Sequence, residues 1–134
     1  MSLPETLSTH PLFSDRSRKE LRRAAQLMTE LHLPAGRTLM REGTVGREFM
    51  VVLDGDLDVS DRDVEVSHVH GGSFVGELSL LTGAHRTATV TTTVPTHVLV
   101  MNRHEFALLL DELPTVGMRI AHTALRRQLE LRRN

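Results

Sequence analysis

Gly76, Glu77 and Arg86 are the residues whose types and spacing point most directly to chemistry. Between Gly71 and Val90 the chain reads Gly-Gly-Ser-Phe-Val-Gly-Glu-Leu-Ser-Leu-Leu-Thr-Gly-Ala-His-Arg-Thr-Ala-Thr-Val, with the Arg nine residues after the Glu. Gly76 lets the backbone approach a ligand with no Cβ in the way. Glu77 to Leu81 has the pattern of one helical turn, whose first amides lack intrahelical acceptors and favour an anion. Arg86 adds a two-pronged, charge-assisted donor for phosphate oxygens. Glu77 only accepts when ionised, so it suits a sugar hydroxyl rather than a phosphate. Together these parts fit a small phosphate with an attached ribose.

The elements that must position them are legible from periodicity. Residues 17–31 place Leu21, Ala24, Ala25, Leu27, Met28 and Leu31 at helical spacing, and Ser17 with Glu20 resembles a capping box, so a helix is predicted there. Pro34-Ala35-Gly36 then punctuates. From Thr38 to Asn102 the texture changes to short β-rich runs. Phe49–Leu53 ends at Asp54-Gly55, a hairpin signal, while Leu57–Val59 and Val64–Val66 alternate around Asp61-Arg62-Asp63. Thr87–Thr93 and Thr96–Met101 supply two more strands, broken by Pro95. Asn102 with Glu105 opens a helix over Arg103–Glu112, and Pro114 suits the first turn of a last helix over Thr115–Arg133. That helix carries Met118, Ala121, His122, Leu125 and Leu129 on one face. The expected fold is α+β: a double-sheet β-roll (jelly roll) with an N-terminal helix and two C-terminal helices. A single domain over 1–134 is expected, with a helical lead at 12–32, the β-roll at 33–102 and C-terminal helices at 103–133.

The run from Phe74 to Leu81, followed by Arg86-Thr87-Ala88-Thr89, resembles the phosphate-binding cassette of the cyclic-nucleotide-binding domain family, of the cyclic AMP receptor and kinase regulatory-subunit type. Leu33-Pro34-Ala35-Gly36, Arg41-Glu42-Gly43, Gly46 and Val52 to Leu57 match the family's turn pattern in order, so the likeness covers roughly residues 12–133. It implies the same architecture and a ligand site at Gly76, Glu77, Leu78, Ser79, Arg86, Thr87 and Ala88. Arg86 would hold the cyclic phosphate and Glu77 the ribose 2′-hydroxyl. Leu78 and Ser79 would offer mainly backbone N–H groups. Thr87 sits where a hydroxyl reaches the base, but the family uses Thr and Ser there with both purines, so it does not choose between them. Phe74 and Val75 are expected to pack beneath the cassette, and Ala88 and Val90 also look structural. The family commonly covers the base with an aromatic side chain of a C-terminal helix. The final helix here has none, which leaves His122, Leu125 or Arg126 as the base cap. The implied function is reversible binding of a purine cyclic monophosphate, cyclic AMP ahead of cyclic GMP, with no catalysis and no cofactor. The C-terminal helix would relay occupancy.

Composition narrows the partners. The chain has 134 residues, a net charge of −1, 40% hydrophobic and 25% charged residues and no cysteine, which excludes disulfides and thiolate chemistry. Charge gives no general reason to expect nucleic acid or anionic membrane. Five arginines follow Leu113, and a solvated helix face accounts for them. The chain leaves no room for an appended helix-turn-helix domain, so no nucleic acid is assigned to it alone. No membrane span or secretory apolar core is visible, and a cytoplasmic location is expected. Met118, Leu125 and Leu129 could support a homodimer through the last helix. Two rival readings are a ligand-free interaction module and a metal-dependent cupin-like enzyme using His68, His70 and Glu77. The second is disfavoured because six residues separate His70 from Glu77, against three to four in cupins.

Overall fold

In the computed structural model, residues 1–62 and 64–133 are described, residues 131–133 as backbone only. Asp63, in the expected Asp61-Arg62-Asp63 turn, and the side chains of Arg132 and Arg133 lie outside the described residues. The chain runs α1 (Leu3–Ser8), α2 (Arg18–Gln26), β1 (Thr29–Leu33), β2 (Thr38–Met40), β3 (Glu48–Asp54), β4 (Asp56–Asp61), β5 (Val64–His70), β6 (Ser73–Val75), α3 (Glu77–Thr82), β7 (Thr89–Thr92), β8 (Thr96–Asn102), α4 (Arg103–Glu112) and α5 (Pro114–Arg133). The strands form two antiparallel four-stranded sheets, ordered β1-β8-β3-β6 and β2-β7-β4-β5. The expected α+β double-sheet roll with flanking helices is what the structure shows.

Alternation along β3 and β8 explains their unbroken apolar runs, Phe49–Leu53 and Val98–Met101. Met50 and Val52, with Val98 and Val100, point into the roll and pack with Leu57, Val69, Val75 and Val90 of the other strands. Phe49 and Val51, with Leu99 and Met101, point the other way and pack under the helices against Leu21, Phe106, Leu109, Val116 and Ile120. Successive strand residues face opposite sides, so a strand buried on both faces needs an unbroken hydrophobic run. Each such side chain contributes about 1.5–3 kcal/mol when fully buried. Phe74 belongs to the helix-side cluster and Val75 to the roll interior, so both support the cassette from below.

Local signals hold at the caps. Ser17 accepts from the Glu20 amide and Asn102 from the Glu105 amide, and each Glu reaches back to its cap in a capping box. Elsewhere the structure corrects the pattern. The helix from Ser17 ends at Gln26, and Thr29–Leu33 is instead β1, paired with Val100–Thr96 of β8. A ladder with β8 satisfies these backbone groups and overrides the helical spacing of Met28 and Leu31. The roll therefore begins at Thr29 rather than at residue 33. Helix α1, capped by Ser2, precedes the expected helical lead. Asp54-Gly55 is not a hairpin: β3 and β4 lie in different sheets, so the pair turns the corner between them. Thr87 and Ala88 precede β7, which starts at Thr89. On α5 the packed face is Val116, Ile120 and Ala124, whereas Met118, Leu125 and Leu129 are exposed. Among the described residues, no helix is long and apolar enough to cross a membrane.

Candidate functional site

The cassette sits where β6 ends. Gly76 caps α3 in the left-handed region at φ 95°, a conformation that costs a side-chain-bearing residue. Space points the same way: a Cβ on Gly76 would lie 2.7 Å from the Glu48 carbonyl oxygen and 2.8 Å from Met40 Cε. Gly46 is equally constrained, because a Cβ there would overlap the Ser79 side chain.

Arg86 is buried, 9% exposed, under this turn. Its Nη1 donates to the Gly76 carbonyl at 3.0 Å and its Nη2 to the Glu48 carbonyl at 2.7 Å. Its backbone N–H donates to Thr44 O at 2.7 Å, and its carbonyl accepts from Gly43 N at 2.8 Å. Burial lowers the Arg86 pKa from its ordinary value, while the Glu48 and Glu77 carboxylates oppose that shift. Arginine stays protonated even so. Arg86 also borders a cleft of about 300 Å³ lined by Met40, Arg41, Thr44, Arg47 and Glu48, at the lower end of the range for small-ligand sites.

Glu77, the first residue of α3, is 1% exposed. Its Oε1 accepts from Arg127 Nη1 at 2.6 Å, and its Oε2 is buried with no hydrogen-bond partner among the described residues. Burial raises the Glu77 pKa above the ordinary carboxyl range, and the positive charge of Arg127 pulls it back. Arg127 also donates to the Phe74 carbonyl at 2.9 Å, and its guanidinium lies 5.1 Å from the centre of the Phe74 ring. Among the described residues, the hydrogen bonds of α5 to the cassette and β6 run through this one side chain.

The structure thus brings Gly76, Glu77, Ser79 and Arg86 together, with Leu78 on the first turn of α3 and Thr87 and Ala88 directly after Arg86. It does not bring the expected base cap to them. His122 and Arg126 line a separate groove of about 540 Å³ between α5, the Pro11-Leu12 segment and β6, and Leu125 faces outward. Among the described residues, the polar side chain of α5 that reaches the cassette is Arg127. Its signal was helical phase: Ile120, Ala124 and Arg127 share the packed stripe at i, i+4 and i+7. His68 and His70 face Asp56 and Asp58 across β4–β5, and His68 also contacts Glu65. Among the described residues Glu77 belongs to no grouping of metal-ligating side chains.

The model of the cyclic nucleotide-binding domain matches residues 30–112. The cAMP-dependent protein kinase regulatory subunit of Eremothecium gossypii is 33% identical over 105 residues, 78% of this chain and 23% of that protein. The chain therefore spans less than a quarter of that relative's length. The regulatory domain of Toxoplasma gondii PKA, solved with cAMP, is 31% identical, with a TM-score of 0.68 over 80% of this chain and 42% of that one. The regulatory subunit of a cAMP-independent protein kinase A from Trypanosoma brucei shares the fold alone, with a TM-score of 0.81 at 24% identity over 90% of this chain and 44% of that one. Since the match runs from β1 through the whole cassette to the end of α4, this chain belongs to the cyclic nucleotide-binding domain family.

Proposed function

We propose that this chain reversibly binds a purine 3′,5′-cyclic monophosphate, cyclic AMP ahead of cyclic GMP, and acts as a regulatory module of the cytoplasm rather than as an enzyme. The observation that carries this reading is the pairing of a buried Arg86 with Glu77 Oε2, which has no partner among the described residues, on either side of one tight turn. A buried acceptor without a donor is costly, and a ribose 2′-hydroxyl is a donor of the right kind. Arg86 now spends two N–H groups on main-chain carbonyls; a cyclic phosphate offers charged acceptors in their place, with the Leu78 and Ser79 amides beside it. Thr87 and Ala88 would face the rest of the ligand. The preference for cyclic AMP is supported by the Eremothecium gossypii and Toxoplasma gondii relatives, whereas the Trypanosoma brucei protein is a reminder that the fold does not settle the ligand.

Helix α5 is the output in this reading. Its Arg127 holds one oxygen of the carboxylate whose other oxygen would hold the ribose, so occupancy at the cassette is felt at the helix. Cyclic AMP, cyclic GMP and, as a control, 5′-AMP titrated calorimetrically into the wild type and Arg86→Ala give the direct test. Saturable binding of one cyclic nucleotide, weakened at least a hundredfold by Arg86→Ala, is expected. No heat from any of the three with folded, nucleotide-free protein would sink the sensor reading and favour a ligand-free interaction module, whose Arg86 and Glu77 serve the internal contacts already described.

A further inference from the structure

The imidazoles of His32 and His97 lie stacked, 4.0 Å between centroids and 23° between planes. β1 is an edge strand, and its ladder places His32 directly opposite His97 of β8. Glu30, two residues earlier on the same face of β1, reaches across diagonally until its Oε2 is 2.7 Å from His97 Nε2. Strand alternation puts Leu33 toward the roll interior, so these three side chains occupy the opposite, helix-bearing face of the sheet, at a part that the helices leave uncovered. Among the described residues, neither ring nitrogen of His32 has a hydrogen-bond partner. One donor atom from each of Glu30, His32 and His97 lies within 4.8 Å of the other two.

We infer that Glu30, His32 and His97 form a binding site for a divalent transition metal of the zinc type. Two imidazoles and one carboxylate are the donor set that zinc takes when a fourth position is left to water, and they suit calcium or magnesium poorly. Zinc bonds of about 2.0–2.2 Å require donors to stand roughly 3.3 Å apart in a tetrahedron. Rotation of the side chains closes the present spacing, and nothing in the core must move: the Glu30 and His97 side chains are 46% and 24% exposed. The two strands already fix the Cα positions through the register of the ladder. A bound ion would staple the edge strand β1 to β8. The site uses none of the cassette residues and stands independently of nucleotide binding.

The grouping of Asp58, Glu65 and His68 is the natural control, because there both His68 ring nitrogens already face carboxylates. The test is calorimetric titration of zinc chloride into the chelator-treated full chain, with circular dichroism to verify that each variant folds. One saturable zinc per chain at this site is expected. His32→Ala and His97→Ala should each weaken it at least tenfold, Glu30→Gln severalfold, and His68→Ala not at all. In the wild type, zinc should also shift the side-chain nitrogen resonances of His32 and His97. Absence of saturable binding overturns the assignment, as does binding that survives His32→Ala and His97→Ala or that His68→Ala removes.

Discussion

Arg86 and Glu77 are held in place by unlike means. Arg86 rests on two main-chain carbonyls that the turn itself presents, so its position is a property of the backbone around Gly76. Glu77 is held by a side chain fifty residues away, and burial would strand its charge if Arg127 left. The conformation of Gly76 therefore governs the Arg86 end of the candidate site. Replacing it by alanine should cost about 1–2 kcal/mol for the left-handed backbone alone, and more for the overlap with the Glu48 carbonyl and Met40. Urea denaturation of Gly76→Ala is expected to show a lower midpoint with an unchanged slope, together with weakened cyclic nucleotide binding. An unchanged midpoint would mean that the turn relaxes freely and that the glycine is not what sets the site.

Among the elements, α5 joins the site to the rest of the molecule. Val116 and Ile120 seat it on the helix-side cluster, Ala124 is buried one turn further on, and Arg127 extends the same stripe to the cassette. Beyond Ala124, the described polar contacts of α5 with the roll run through Arg127 alone, so that part of the helix depends on it. Arg127→Ala should speed amide hydrogen exchange from about residue 121 to 130 while residues 103–120 keep their protection. In the wild type, saturating cyclic AMP is expected to change protection over the same stretch. Identical exchange in the variant and with ligand would remove α5 as the output element. The exposed stripe of Met118, Leu125 and Leu129 lies off the packed face, spaced seven and four residues apart, and supports pairing with a second copy. Sedimentation should then show a dimer that Leu125→Glu dissociates; a monomer at all concentrations would dismiss the pairing.

At the scale of the whole molecule, the N-terminal helices are tied to the roll through a buried histidine. His10 is 4% exposed, its Nε2 lies 3.2 Å from both Val52 O and Ser73 O, and its Nδ1 accepts from the Leu12 amide. That arrangement calls for a neutral ring with the proton on Nε2. Burial lowers the His10 pKa, and the two carbonyls only partly offset it. With the folded value below the ordinary one of about 6.5, the unfolded chain takes up the proton first as pH falls. The contribution to stability is complete above that ordinary value and is lost as pH drops through the folded one. The denaturation midpoint should thus fall between about pH 7.5 and about pH 5, and His10→Gln should flatten that part of the dependence. A variant as acid-sensitive as the wild type would show that other groups carry it.

What the sequence by itself determined is whatever depends on near neighbours in the chain. The Ser17 and Asn102 caps, the α3 turn opened by Gly76, the bounds of α4 and the Gly-Glu to Arg86 spacing all arise from interactions within about ten residues. Local sterics and local hydrogen bonds decide these, and both are legible in residue type. The contacts that only tertiary structure decided connect distant segments. Thr29–Leu33 became a strand because β8 was there to pair with it. Asp54-Gly55 became a corner because β3 and β4 found partners in different sheets. Arg127, rather than its neighbour Arg126, reached Glu77 because the burial of Ile120 and Ala124 set the phase of α5 against the roll. Two adjacent arginines are equivalent in composition and separated by about 100° around a helix, and only the core beneath the helix tells them apart.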